Sequence, residues 1–294
     1  LATNGVGTVG VLASVAGSPG QVHLVLDVDG YFSEDTTPAP GAVGPLGYQP
    51  ITPCRLLDTR TTNTPLVTGA LRTFTIQGNC GIPAGAASAA LNAAIVSPAS
   101  SGFLTLYPSS LSPAPVVSSL NWVAGTTALA NGARPMLATA TPDLAAGLFL
   151  GAPGTTAHLV LDTVGYFKSD APYKFHPIAQ CRVVNTAAAG EGPPSLAAGT
   201  TRSFQIQGNC GVPVGAKAAF ISTKVLAPNT TTGGLLLLFP SGGSANGTSF
   251  MNFDAGEPAL AGGAIVQLSS NSLDFSVASS SNVDLIVKVF GYFD

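Results

Sequence analysis

Charge is scarce in this chain. Acidic and basic residues together make up 9% of its 294 residues, against about a quarter in an ordinary globular domain. Only 11 are Lys or Arg, and the net charge is −3. Nucleic acid is excluded as a partner, because phosphate contacts need clustered basic side chains. An anionic membrane surface is disfavoured for the same reason. Long apolar runs are missing too. Stretches such as Leu235-Leu-Leu-Leu-Phe239 fall far short of the roughly 18 residues that a spanning helix needs, so no membrane insertion is expected. Disorder is excluded from the other side. It needs low hydrophobicity and high charge, and the mean hydropathy here is +0.40.

Chemistry-bearing residues are also few. The three histidines, His23, His158 and His176, do not cluster with the cysteines. There is no Gly-x-Ser-x-Gly elbow, no His-Glu-x-x-His and no Gly-rich phosphate loop before a helix. These absences point away from an enzyme, and no cofactor or metal is expected.

What the chain does have is a repeat. His23-Leu-Val-Leu-Asp-Val-Asp-Gly-Tyr-Phe32 returns as His158-Leu-Val-Leu-Asp-Thr-Val-Gly-Tyr-Phe167. It returns again, degenerated, as Asp284-Leu-Ile-Val-Lys-Val-Phe-Gly-Tyr-Phe293. Each copy reads as a closing β-strand with a glycine near its end, and periodic self-similarity marks a repeat protein. The four cysteines follow the same period, as Cys54/Cys80 and Cys181/Cys210. Zinc spacing needs closer pairs or histidine partners. One disulfide per repeat is the better reading, and it implies an oxidising, extracellular compartment. Each bond would contribute roughly 3–4 kcal/mol by constraining the unfolded chain.

In chain order, residues 1–33 match only the closing strands of a repeat. Thr8–Val15 and His23–Asp29 read as two strands, which alone are marginal in water. The opening at Leu1, inside a repeat and without Met, reads as a processed or truncated product. Residues 34–47 form a Pro/Gly linker, semi-stiff by composition. The first complete repeat is 48–167 and the second 168–294. The first reads as strands at Arg72–Gln77, Ala87–Val96, Gly102–Pro108, Val116–Trp122, Met136–Ala140, Leu148–Leu150 and the closing strand, with a loop ending near Ala133. The second tracks it through Arg202–Pro213, Ala218–Leu226, Gly234–Pro240, Ser249–Phe253 and Ile265–Leu268. Short strands with Gly, Pro and Ser between them predict an all-β protein. It would be built of tandem β-sandwiches, jelly-roll or immunoglobulin-like, with about eight strands each.

A multi-part order runs through the full repeats. Pro53-Cys-Arg-Leu-Leu-Asp-Thr-Arg60 leads to Gly78-Asn-Cys-Gly-Ile-Pro-Ala84. A strand ending Tyr107-Pro108 follows, then Leu120-Asn-Trp122, then the closing His158–Phe167 strand. It resembles a repeat module of secreted and cell-surface proteins of bacteria, found in tandem or appended to other domains. The resemblance implies location and modularity, and carries no assigned activity.

Within the repeats, Arg55, Asp58 and Arg60 are the most site-like cluster. Asp58 and Arg60 could bind a polar ligand, or pair with each other and pin the segment after the disulfide. The second copy reads Arg182-Val-Val-Asn185-Thr-Ala187, without the acid or the second Arg, which favours the structural role. Trp122 could stack on a sugar if exposed. Phe253 holds the matching place, and a repeated aromatic on a strand is more often core. Asp27 and Asp162 match each other in the closing strand, where Lys288 stands in the third copy. Solvent-facing positions explain that exchange. Asp27-Val-Asp29-Gly30, followed by Glu34 and Asp35, has part of a calcium loop but lacks its remaining ligands.

The expected function is structural. A non-enzymatic extracellular protein would build a bacterial surface filament, stalk or layer from copies of itself. Assembly would run through Val9 and Val11 of the first front strand and Val22, Leu24 and Leu26 of the second, by strand complementation or head-to-tail packing. A cell-surface adhesin or glycan-binding module is the alternative.

Overall fold

The computed structural model describes residues 11, 21, 23–33, 37, 43–226, 233–257, 259–270 and 275–294. Among them there is no helix, and seventeen strands form four antiparallel sheets. The first nine are β1 (Gly47–Asp58), β2 (Leu66–Val67), β3 (Leu71–Phe74), β4 (Ser88–Val96), β5 (Gly102–Pro108), β6 (Leu120–Trp122), β7 (Ala128–Ala133), β8 (Leu144–Leu150) and β9 (Thr156–Lys168). The remaining eight are β10 (Phe175–Asn185), β11 (Thr201–Phe204), β12 (Ala218–Leu226), β13 (Gly234–Pro240), β14 (Met251–Phe253), β15 (Ala259–Gln267), β16 (Phe275–Ser279) and β17 (Asp284–Phe293).

Two sheets use the first nine strands, in the orders β1-β9-β4-β7 and β3-β8-β5-β6, with β2 pairing β9. The other two read β10-β17-β12-β15 and β11-β16-β13-β14. Strand for strand this is the same order. The closing strand of each sequence repeat lies centrally, with the opening strand on one side and β4 or β12 on the other. Even the irregularities recur. Pairing slips between Ala90 and Leu91 on β4, and at the matching Phe220 and Ile221 on β12.

Alternation explains the layers. Along β4 and β9, Leu91, Ala93, Ile95, Leu159 and Leu161 join Leu104, Leu106, Leu144 and Leu148 of the facing sheet in one core. Ile221, Val225, Leu285, Val287 and Val289 meet Leu236, Leu238 and Val277 in a second core. Side chains on alternate strand residues point to opposite faces, so each sheet pair encloses its own apolar interior.

The glycine of each Gly-Tyr-Phe has a packing reason. A Cβ on Gly165 would lie 2.2 Å from the Tyr48 hydroxyl, and one on Gly291 would lie 2.4 Å from the Phe175 ring. The aromatic near the start of each opening strand covers the glycine of the closing strand. The phenylalanines of the motif converge as well. Phe167 and Phe293 sit 6.3 Å apart around the fully buried Tyr48, and Phe32 stacks on Phe175 at 4.0 Å.

Several strand expectations need correction. The strand expected over Met136–Ala140 lies earlier, at Ala128–Ala133, and Met136 makes only an isolated bridge to Ser88. The alanine-rich segment has low intrinsic β character, and pairing to β4 overrides it. The expected Arg72–Gln77 strand ends at Phe74. The buried Asp143 carboxylate takes the next amides, from Ile76 and Gln77, at 2.8 Å each. Val116–Ser119 is loop, and only Leu120–Trp122 is strand. Residues 23–33 form no strand. Leu24 and Leu26 are exposed there, because no strand among the described residues pairs with this stretch. Val11 is exposed too, while Val9 and Val22 lie outside the described residues.

Candidate functional site

Arg55, Asp58 and Arg60 lie together, and Asp162 joins them. Cross-strand register places Arg55 of β1 directly opposite Asp162 of β9. The guanidinium grips that carboxylate with two bonds, Nε to Oδ1 at 2.8 Å and Nη2 to Oδ2 at 3.1 Å. Asp58 accepts from Arg60 Nε at 2.8 Å, Arg60 Nη2 at 2.6 Å and the Arg60 amide at 3.0 Å. Arg55 Nη1 lies 3.5 Å from Asp58. The chain of charge therefore runs Asp162, Arg55, Asp58, Arg60. The Cys54–Cys80 disulfide anchors its start, with Cα atoms 5.8 Å apart, and Cys181–Cys210 repeats that bond at the same span.

Burial separates the two acids. The Arg60 hydrogen bonds hold the Asp58 carboxyl below the usual carboxylate range. Asp162 is only 2% exposed. Its burial pushes the carboxyl above that range, outweighing Arg55 and a backbone amide that act the other way. The expectation that Asp162 faces solvent fails here. The outer face of β1-β9-β4 is covered by the second sheet pair.

The cover is the loop between β13 and β14. Ser249 donates its amide to Asp162 Oδ2 at 3.3 Å, and Arg55 Nη2 donates to the Gly247 carbonyl at 2.8 Å. Asn92, beside Asp162 on β4, donates Nδ2 to the Ser249 carbonyl, and Asn246 Nδ2 donates to the Pro53 carbonyl at 3.0 Å. A cavity of about 40 Å³ remains at this junction, lined by Asn92, Asp162, Arg134, Ser249 and Gln267. That is room for water, next to the buried acceptors Asn92 Oδ1 and Gln267 Oε1.

The second copy cannot build this clamp. Arg182 faces Lys288 where Arg55 faces Asp162, and like charges directly opposite are unfavourable. Arg182 turns instead to Glu191, with Nε to Oε2 at 2.7 Å.

Trp122 does not belong to the cluster. It is 6% exposed in the first core, and its indole N–H donates to the Ser100 carbonyl at 2.8 Å. It has no face free for a sugar. Asp29 pairs with Arg134 at 3.1 Å, while Glu34 and Asp35 lie outside the described residues. Among the described residues no group of three or more His, Cys, Asp or Glu is placed to hold a metal ion.

Asp162, Asn92 and Asp143 were missed as junction and turn residues. Strand alternation identifies the face on which Asp162 lies, but gives no sign that another sheet pair covers it. For Asp143 a signal existed, since Asp143-Leu144 is matched in sequence by Asp274-Phe275.

Each of the two carboxylates is paired with a guanidinium. The arrangement can hold two surfaces together.

No family model matches the chain, and no curated protein matches it. Among solved structures it is similar to the STIV MCP, a viral major capsid protein. That likeness has 11% identity and a TM-score of 0.21, over 85% of this chain and 97% of the other. A second is the CBM22-1-CBM22-2 tandem domain of Paenibacillus barcinonensis Xyn10C. It has 10% identity and a TM-score of 0.19, over 83% and 98%. At these scores neither likeness carries an argument.

Proposed function

We propose that the chain is a non-enzymatic structural protein of the bacterial cell exterior. Its two sheet pairs are then tandem jelly-roll sandwiches, and it serves as a subunit of a surface filament, stalk or layer. The strand order supports the jelly-roll reading. Counting eight strands in each pair and leaving out β2, a first-eighth-third-sixth sheet faces a second-seventh-fourth-fifth sheet, as in a wrapped double Greek key. Two disulfides suit an oxidising compartment, and among the described residues no helix is long and apolar enough to cross a membrane.

One observation carries the structural reading. The two equivalent units are fastened through non-equivalent surfaces, the sheet face of the first holding the β13–β14 loop of the second. Repeated between copies, heterologous contacts of this kind build rings where the rotation closes and open filaments where it does not. Head-to-tail packing fits that geometry. Strand complementation by residues 23–32 remains a second route, since this exposed stretch repeats the sequence of β9. Electron microscopy of native material, beside size-exclusion chromatography of the 294-residue chain, tests the reading. Regular filaments or oligomer ladders are expected, and a clean monomer without filaments would overturn it.

A glycan-binding role has one observation in its favour. An open groove of about 530 Å³ on the second sheet pair is lined by Thr201, Ser203, Leu237, Phe239 and Asn246. A glycan array with no hit would dispose of it.

A further inference from the structure

The first sheet pair carries its own counterpart of the docking loop, and among the described residues no sheet packs over its tip. Ser119 donates its amide to the Leu104 carbonyl at 2.7 Å, as Phe250 does to Leu236 at 2.7 Å. Val116, Val117 and Ser118 therefore stand where Gly247, Thr248 and Ser249 stand in the second pair. The loop is held firmly in place. Thr105 Oγ1 donates to the Val117 carbonyl at 2.6 Å, and Ser119 Oγ accepts from the Leu106 amide at 3.0 Å. Its tip is apolar and open, with Val116 102% and Val117 40% exposed.

The second sheet pair carries its own counterpart of the receiving face. On the outer side of β10-β17-β12, Arg182, Lys288 and Ser222 occupy the places of Arg55, Asp162 and Asn92. Lys224 lies two residues beyond Ser222 on that side. Arg182 and Lys224 are exposed, and Lys288 and Ser222 are half-buried. Two carboxylates lie on that side, Glu191 paired to Arg182 and Asp284 bonded to Thr186 and Ser195 at the far end of β17, so Lys224 and Lys288 leave the face basic. Ile286 and Phe290 flank Lys288 on the same side of β17 and supply apolar surface.

The exchange of Asp162 for Lys288 changes what this face can accept. Within the chain, the face supplies a carboxylate and the loop supplies the Ser249 amide. An ammonium at that place repels an amide N–H and selects a loop that brings its own anion. The free loop has one. Asp27 Oδ2 accepts from the Ser118 amide at 3.5 Å, the amide matching Ser249. The free loop is thus capped by a carboxylate, and the free face carries a cation where that carboxylate would arrive.

We propose that copies of this chain join head to tail through these two surfaces. The Val116–Ser118 loop with Asp27 of one copy seats on the β10-β17-β12 face of the next, Asp27 against Lys288. The contact repeats the internal junction with the charge moved from face to loop. It deepens the structural reading above and rests on it.

Sedimentation velocity of the full chain, across concentration and salt, tests the contact with Asp27→Lys, Lys288→Glu and the double variant. The wild-type chain is expected to self-associate, more weakly at high salt. Each single reversal raises the dissociation constant by at least about tenfold, because like charges then meet. The double variant restores association by swapping the signs. Association unchanged in both single variants would overturn this contact while leaving a self-assembling protein. A wild-type chain that stays monomeric throughout would overturn it as well. The structural reading would then stand or fall on filaments in native material.

Discussion

At the scale of single residues, the Arg55–Asp162 pair shows how one charge can serve the fold rather than a reaction. A buried carboxylate is tolerated because a guanidinium opposite it on the ladder supplies two hydrogen bonds. Removing one partner of such a pair costs more than never having built it. Arg55→Met strands the Asp162 carboxylate and frees the Gly247 carbonyl. The expected loss is about 3 kcal/mol at neutral pH. Its pH dependence has a definite sign. Burial already raises the Asp162 carboxyl, and loss of the cation raises it further. A raised carboxyl binds its proton more readily in the folded than in the unfolded state. The variant therefore loses stability as pH rises through the raised value and recovers in acid. Thermal melts of wild type and variant at about pH 4.5 and pH 7 measure this, and an equal deficit at both would contradict it. Asp58 has the opposite sign. Its lowered carboxyl stabilises above the ordinary carboxylate range and loses that contribution as pH falls. It is part-exposed with Arg60, so the effect is small.

Trp122 is a second residue whose place decides its role. Trp122→Ala empties a large volume in the first core and leaves the Ser100 carbonyl unpartnered. A loss of about 3–5 kcal/mol is expected by chemical denaturation. A loss below about 1 kcal/mol, the range of surface substitutions, would mean that the indole is not core.

At the scale of elements, the disulfides and closing strands were legible because their chemistry is local. Cys54 and Cys80 have a matching pair in the second copy, and the Gly-Tyr-Phe endings of β9 and β17 announce themselves by alternation. The strand at Ala128–Ala133 was hidden, because Ala-Leu-Ala-Asn-Gly-Ala has no β-branched or aromatic residue and becomes a strand only beside β4. Residues 23–32 failed in the other direction. Their sequence is as strand-like as that of β9, but a strand exists only with a partner. The junction around Asp162 was illegible for a third reason, since periodicity reports faces and says nothing of what covers them. The disulfide itself is open to test at this scale. Cys54 is held on β1, while Cys80 sits in the turn after β3, so the bond closes a loop of 26 residues. Replacing both cysteines with serine is expected to cost about 3 kcal/mol. A fall in the denaturant midpoint, with a steeper slope as the unfolded chain expands, is the readout, and an unchanged midpoint would rule the contribution out.

At the scale of the molecule, the question is whether the two sheet pairs behave as one body. Domains joined by a small polar contact move and unfold separately. Here the junction combines the Arg55–Asp162 clamp, the Tyr48, Phe167 and Phe293 cluster and a close approach of β7 to β15. That approach depends on glycine. A Cβ on Gly132 would lie 2.3 Å from the Gly263 carbonyl oxygen. The backbone oxygen cannot yield without the two strands moving apart. Gly132 points outward, away from its own core, so Gly132→Val leaves the first sheet pair intact while pushing the second from it. The wild-type chain is expected to unfold in a single calorimetric transition, because opening the junction exposes buried charge and aromatic surface together. The variant is expected to unfold in two, one per sheet pair, with the lower falling below the wild-type midpoint. A single transition retained in the variant would mean that the halves are coupled elsewhere. Two transitions already present in wild type would mean that the junction is too weak to transmit load along an assembly.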